Sequence, residues 1–324
     1  MAIRIGFIGT GGIAGAHMGA LANIHSAQVV ACMDVDEERA AQAAARFPGA
    51  GAYTDVGKML KQQKLHTVFV CIPPHAHGEV EMAVIKAGIP FFTEKPLGND
   101  RATPRKILAA VKRKKLLTAV GYMSRYRATV EKARQALAQD QPVLARGGWI
   151  GGMPGVFWWR QKKMSGGQMV EQTTHTFDLA RYLLGEVKSV YCVGRKGVIT
   201  DVENYSVEDA SICTMTFASG LICELSSSCA VNCGGGVSLE VFCRKSRVKL
   251  HGWNLSLEVE KPGEVHQMNS SEPNIFEVED RIWLEAVASG NPSKIKSTYE
   301  DACKTQMVTA AANESIDSGK PVKP

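Results

Sequence analysis

Over the first 120 residues, short runs of apolar, β-branched positions alternate with segments whose apolar residues recur every three to four places. The runs are Ile3–Ile8, Val29–Met33, Thr67–Ile72, Pro90–Thr93 and Leu117–Tyr122. The periodic segments are Ala14–Asn23, Glu37–Arg46, Val56–Gln62, His77–Lys86 and Pro104–Lys114. Because the runs are apolar throughout, they predict strands buried on both faces. A parallel sheet wrapped by helices meets that demand.

After Tyr122 the pattern changes. A helix over Thr129–Ala138 leads into Gly- and Trp-rich sequence, and a second helix is expected from about Met169 to Leu184. Strands then follow without intervening helices: Ser189–Val193, Ala210–Phe217, Leu221–Ser226, Gly236–Phe242, Arg247–His251 and Leu255–Glu260. Ser219-Gly220 joins two of them at hairpin spacing. Two helices, Phe276–Ala288 and Thr298–Ser315, close the chain. The expected class is α/β: a doubly wound parallel domain over 1–122, then an α/β domain with a large open, mostly antiparallel sheet over 123–324.

Composition narrows this only modestly. The chain has 324 residues, with 45% hydrophobic and 22% charged, as a folded two-domain protein should. No apolar run approaches the roughly 20 residues of a membrane span, and the start does not read as a signal peptide. The net charge of +6 is local: Arg101, Arg105, Lys106, Lys112, Arg113, Lys114 and Lys115 are uninterrupted by acid, and the rest of the chain holds 31 basic against 32 acidic residues. No aromatic residue interleaves that run, so a solvated helix is favoured over a nucleic-acid site. The nine cysteines show no paired motif and sit mostly in apolar runs. They read as buried thiols in the cytoplasm, with no metal site expected.

The first strand is followed by Gly9-Thr10-Gly11-Gly12-Ile13-Ala14, which opens a helix, and Asp34 ends the second strand 20 positions after Ala14. That context turns a weak glycine motif into a dinucleotide fingerprint. Gly9 serves the tight turn, Gly11 the close approach to a pyrophosphate, and Ala14 is small enough for the helix to pack on the sheet; Gly12 and Ile13 are further candidates to bind the cofactor. Asp34 suits unphosphorylated ribose hydroxyls. With Asp36, Glu37 and Glu38 nearby, NAD is preferred over NADP. Pro73 and His75, in Pro-Pro-His-Ala-His, start a helix near the cofactor.

Glu94-Lys95-Pro96 closes the fifth strand, where ligands of such sheets bind. His175 lies four residues after Glu171 and three before Asp178, a spacing that places all three on one helical face. Trp158, Trp159 and Arg160 form an aromatic-basic cluster suited to stacking on a sugar face. Tyr122 and Arg125 are further candidates to line the cleft.

GTGGIAGAH at 9–17, PPHAH at 73–77, EKPLG at 94–98, GGQMVEQTTHTFDLARYLLGEV at 166–187 and the tail EDACKTQMVTAAANESIDSGKPV together resemble the Gfo/Idh/MocA oxidoreductases. The resemblance implies NAD-dependent hydride transfer on a secondary hydroxyl of a sugar, sugar derivative or cyclic polyol. It also implies a homodimer or homotetramer formed through the open sheet. It assigns catalysis to Lys95 and His175. Where the family usually has Asp, this chain has Glu171. Lys95-Pro96 is a candidate for the cis bond that family members often hold. Two alternatives remain open at this level: transient oxidation serving elimination or glycoside cleavage, and a non-catalytic NAD sensor.

Overall fold

The computed structural model describes residues 2–324. Contacts divide the chain into two compact units. The first comprises the chain through Gly98, with Ala102–Met123 and Pro273–Cys303; the second holds Asn99–Arg101, Ser124–Glu272 and Lys304–Pro324. A linear boundary at 122/123 therefore leaves out one feature: a segment remote in sequence returns to complete the first unit.

In chain order, the first half contains β1 (Ile3–Ile8), α1 (Gly12–Leu21), β2 (Ala27–Met33), α2 (Glu37–Ala44), β3 (Gly51–Tyr53) and α3 (Val56–Gln62). It continues with β4 (Thr67–Val70), α4 (Glu79–Ala87), β5 (Phe91–Thr93), α5 (Ala102–Lys114) and β6 (Thr118–Val120). The six strands are all parallel, in the order β3-β2-β1-β4-β5-β6. That is the doubly wound order, whose direction of winding reverses beside β1. The expected strands and helices are present, and β3, too short to carry a pattern, is added.

Local chemistry sets the helix ends. Asp36 and Asp55 cap α2 and α3 by accepting from the N–H groups of Arg39 and Lys58. Glu81 reaches back to the N–H of Gly78, and Gly88 ends α4 in the left-handed conformation. α5 buries Ile107, Ala110 and Val111 and exposes Lys112–Lys115, as the solvated-helix reading expects. The unit's core stacks Phe7, Phe69 and Phe92, each worth about 1.5–3 kcal/mol when buried.

The second half contains α6 (Ala128–Leu137), β7 (Pro142–Ile150), α7 (Lys162–Ser165), α8 (Gln168–Glu171), α9 (Thr174–Leu184), β8 (Val187–Arg195), β9 (Ala210–Phe217) and β10 (Ile222–Ser228). Then come β11 (Gly236–Cys243), β12 (Arg247–His251), β13 (Ser256–Lys261), β14 (Glu264–Met268), α10 (Ile275–Ser289) and α11 (Tyr299–Ser318). The eight-stranded sheet runs β14-β13-β12-β11-β7-β10-β9-β8, antiparallel except for the β7–β10 pair. The open, mostly antiparallel sheet is thus present. α6 and α9 cover one of its faces.

Besides the edge strand β14, the hydrophobic pattern did not reveal the central strand, β7. Its glycines explain why. A Cβ on Gly147 would lie 2.3 Å from the carbonyl oxygen of Ser238, and one on Gly148 only 1.9 Å from that of Ser226. The neighbouring backbones come too close for any side chain, so the strand carries a loop-like composition.

The cysteine reading needs one correction. Cys192 on β8 and Cys213 on β9 are directly opposite in register and form a disulfide, while the other seven remain thiols. Cross-strand register, which brings residues 21 apart in sequence together, was not legible from spacing.

Candidate functional site

The elements of the first unit converge at the carboxyl ends of its strands. Gly9 sits in the left-handed region at φ 84°, and a Cβ there would fall 2.2 Å from the carbonyl oxygen of Cys71 beyond β4. Only glycine fits. By contrast, a Cβ on Gly11 or Gly12 would meet no protein atom within 4 Å. Their bare backbone borders open space at the start of α1, which has no side-chain cap. Amides at such an end are donors for an anion. Ile13 is half-buried against the core, and Ala14 is fully buried, small enough to let α1 lie on the sheet.

Asp34 follows β2 at the same edge. Its Oδ2 accepts from the N–H and hydroxyl of Thr10, both at 2.9 Å, and Oδ1 accepts from the N–H of Asp36 at 3.1 Å. The carboxylate is therefore fixed beside the glycine loop. Pro73 and His75 lie on the turn after β4, with His75 exposed. His77 is instead buried and bonded to Glu81; burial opposes ionisation of that carboxyl, but the His77 contact and the backbone hydrogen bond from Gly78 hold it below the ordinary range. These residues fit a dinucleotide: an uncapped helix start, a glycine cradle that side chains would fill, and an acid at ribose position.

Glu94 and Lys95 leave β5 on the same edge, and the Lys95-Pro96 bond is cis, as expected. Glu94 is buried and Lys95 half-buried. Tyr122, after β6, is buried at 1% exposure rather than open to solvent as a cleft-lining residue would be.

In the second unit, the expected single helix over 169–184 is two. α8 ends at Glu171, the N–H of Thr173 reaches back five residues to the carbonyl of Gln168 at 2.9 Å, and α9 begins at Thr174. That wider turn is pinned by Ser227 of β10, whose hydroxyl bonds Thr173 Oγ1 at 2.8 Å. Glu171 and His175 therefore stand on either side of a break rather than on one helical face. His175, in the first turn of α9, is 8% exposed.

The aromatic assignment also changes. Trp159 is wholly buried, packed with Val207 and Cys229, and its indole N–H donates to Glu171 Oε2 at 2.8 Å. It orients a carboxylate and offers no face for stacking. Trp158 is partly buried against the same cluster. Arg160 is half-buried beside them. Arg125 is 2% exposed and bound bidentately to Asp178 at 2.7 and 2.6 Å, a committed ion pair rather than an available ligand for substrate.

The ring that does meet His175 is Trp149 of β7. The two stack at 6.0 Å between centroids and 26°, and Trp253 meets Trp149 edge-on at 5.6 Å. Gln168 fixes this strand end by donating to the carbonyls of Trp149 and Ser228 at 3.1 and 2.7 Å. Reading Trp149 required recognising β7: it shares the inward parity of buried Ala145.

Residues 3–122 match a family described as an oxidoreductase family with an NAD-binding Rossmann fold, and residues 132–249 match the GFO/IDH/MocA C-terminal domain. The chain belongs to the Gfo/Idh/MocA oxidoreductase family. Among its relatives, myo-inositol 2-dehydrogenase of Thermotoga maritima is 27% identical over 76% of this chain and 74% of that protein. Inositol 2-dehydrogenase of Rubrobacter xylanophilus is 25% identical over 99% and 93%. Levoglucosan dehydrogenase in complex with NADH has the same fold, with a TM-score of 0.89 over 100% of this chain and 99% of that one, at 20% identity. Membership in this family makes the first unit an NAD-binding domain.

Proposed function

We propose that this chain is an NAD-dependent dehydrogenase acting on a secondary hydroxyl, or the corresponding ketone, of a sugar, sugar derivative or cyclic polyol. The observation that carries the reading is the alignment, along one sheet edge, of the glycine loop, Asp34 and the Glu94-Lys95-Pro96 turn. The names of the inositol dehydrogenases point to the same substrate class.

In this reading the amides from Gly11 to Ala14 hold the pyrophosphate, Asp34 binds the adenosine ribose, and Pro73 and His75 border the cofactor. NAD supplies the hydride acceptor. Lys95 donates a hydrogen bond to the substrate oxygen and stabilises its developing negative charge, while His175 takes the hydroxyl proton. Glu171, steadied by the Trp159 indole, orients His175 or a neighbouring hydroxyl. Trp149, stacked on His175, offers the aromatic face for the sugar's C–H surface.

We further propose a cytoplasmic homo-oligomer joined through the sheet face opposite α6 and α9. Leu144 and Ile222 are neighbours there, as are Val193 and Ile212, all at least 44% exposed. Exposed apolar residues grouped this way mark a protein interface. No helix among the described residues is long and apolar enough to cross a membrane.

The test is NADH formation on a panel of inositols, aldoses and levoglucosan with the purified protein. Stoichiometric NADH with any of them supports the reading. Cleavage of a glycoside at catalytic NAD, with no net NADH, replaces it by the transient-oxidation chemistry.

A further inference from the structure

His17 of α1 is completely buried, and each of its ring nitrogens faces a carboxylate. Nδ1 is 2.8 Å from Asp280 Oδ1, and Nε2 is 3.0 Å from Glu94 Oε1. Ionised carboxylates only accept, and neutral imidazole donates from one nitrogen alone. Both contacts are satisfied together by the imidazolium. Burial opposes that charge, but the charge and hydrogen bond of Asp280, followed by those of Glu94, outweigh it and hold His17 well above its ordinary pKa.

The groups facing His17 are few. They are Glu94 after β5, Asp280 from α10, the rings of Phe69, Phe92 and Phe276 at 5.0–5.3 Å, and, close to both carboxylates, the Cys71 thiol, which burial and those charges keep protonated. Asp280 Oδ2 is buried with no hydrogen-bond partner among the described residues, and the carboxylate is held by His17 through Oδ1. Glu94 in turn is tightly gripped. Its N–H donates to the Val70 carbonyl at 2.8 Å, its Oε2 accepts the N–H of Lys95 at 3.1 Å, and a Cβ on Gly121 would lie 2.2 Å from its Oε1.

We propose that His17 and Asp280 are positioning residues that set Lys95: the Asp280–His17 pair locks the Glu94 carboxylate, and Glu94 fixes the backbone from which Lys95 projects. The proposal rests on the reading of Lys95 as the group that meets the substrate oxygen. It gives the returning helix α10 a task in the chemistry beyond packing, because Asp280 arrives 263 residues after His17.

Competitive labelling of lysines with acetic anhydride, in the presence of NAD and read by mass spectrometry, measures the environment of Lys95 against that of exposed Lys106. Asp280→Asn keeps the side-chain volume and carries the test if His17→Gln does not fold. The expected result is a shift of Lys95 reactivity in Asp280→Asn, His17→Gln and Glu94→Gln alike, with the Asp280–His17 double variant no worse than either single one. Unchanged Lys95 reactivity, or additive effects, overturns the proposal.

Turnover supplies the second readout. Asp280→Asn should lower kcat by about 10² with KM for NAD unchanged. It should also make kcat fall as pH rises through the lowered pKa of His17, whereas a purely structural role would lower the melting temperature and leave that profile flat. Were the wild-type chain to oxidise no sugar or polyol, the functional reading would fail, and the labelling result would still decide the positioning role.

Discussion

Lys95→Ala and His175→Ala should each reduce turnover by about 10²–10⁴ while NAD affinity, measured by fluorescence titration, stays within a factor of about two. Equal turnover in both variants and wild type would remove them from the mechanism. Trp149 gives a sharper contrast. Trp149→Leu should raise KM for the sugar or polyol by about tenfold, the loss of one aromatic contact of about 1.4 kcal/mol, and Trp158→Leu should change it far less. At the cofactor end, Asp34→Ser should weaken NAD binding and narrow the preference over NADP, because the fixed acid no longer stands where a 2′-phosphate would lie. Lys95, Asp34 and the glycines were legible in the sequence because each follows a strand whose pattern is unmistakable. Trp149 and His17 were not, since their partners lie 26 and 263 residues away.

At the scale of elements, β7 shows what a strand looks like when its neighbours dictate its composition. Gly148 holds φ 148° with no room for a Cβ, so Gly148→Ala should cost about 1–3 kcal/mol in urea unfolding. Gly155→Ala, where nothing lies within 4 Å, should stay within about 0.5 kcal/mol. An equal cost at both positions would mean that the close approach of β10 is not what selects glycine. The α8–α9 break teaches the same lesson. Spacing of four residues suggested a shared helical face for Glu171 and His175, but a wider turn held by Ser227 from another strand intervened.

For the molecule as a whole, the buried His17 charge couples stability to pH. Its folded pKa lies above its value of 6.5 in the unfolded chain, so its contribution is fully present below pH 6.5 and is lost as pH rises through the folded pKa. Denaturant midpoints should therefore fall on the alkaline side, and the fall should begin at lower pH in Asp280→Asn; parallel curves would show that His17 does not carry the charge. The sheet face opposite α6 and α9 gives the other whole-molecule expectation. Leu144→Glu with Ile212→Glu should yield monomers by sedimentation while the fold, read by circular dichroism, is kept. A wild-type chain that sediments as a monomer would rule out that interface.

The sequence by itself determined the parallel sheet, the glycine loop with its acid and the position of Lys95. All of these arise from local periodicity and from residues that follow one strand directly. Tertiary structure decided what depends on distant partners. It placed Trp159 in the core and Trp149 against His175, paired Cys192 with Cys213, and brought α10 back to seat Asp280 under His17. Pattern along a chain records which face of an element is buried, whereas register and close backbone approach decide what it is buried against.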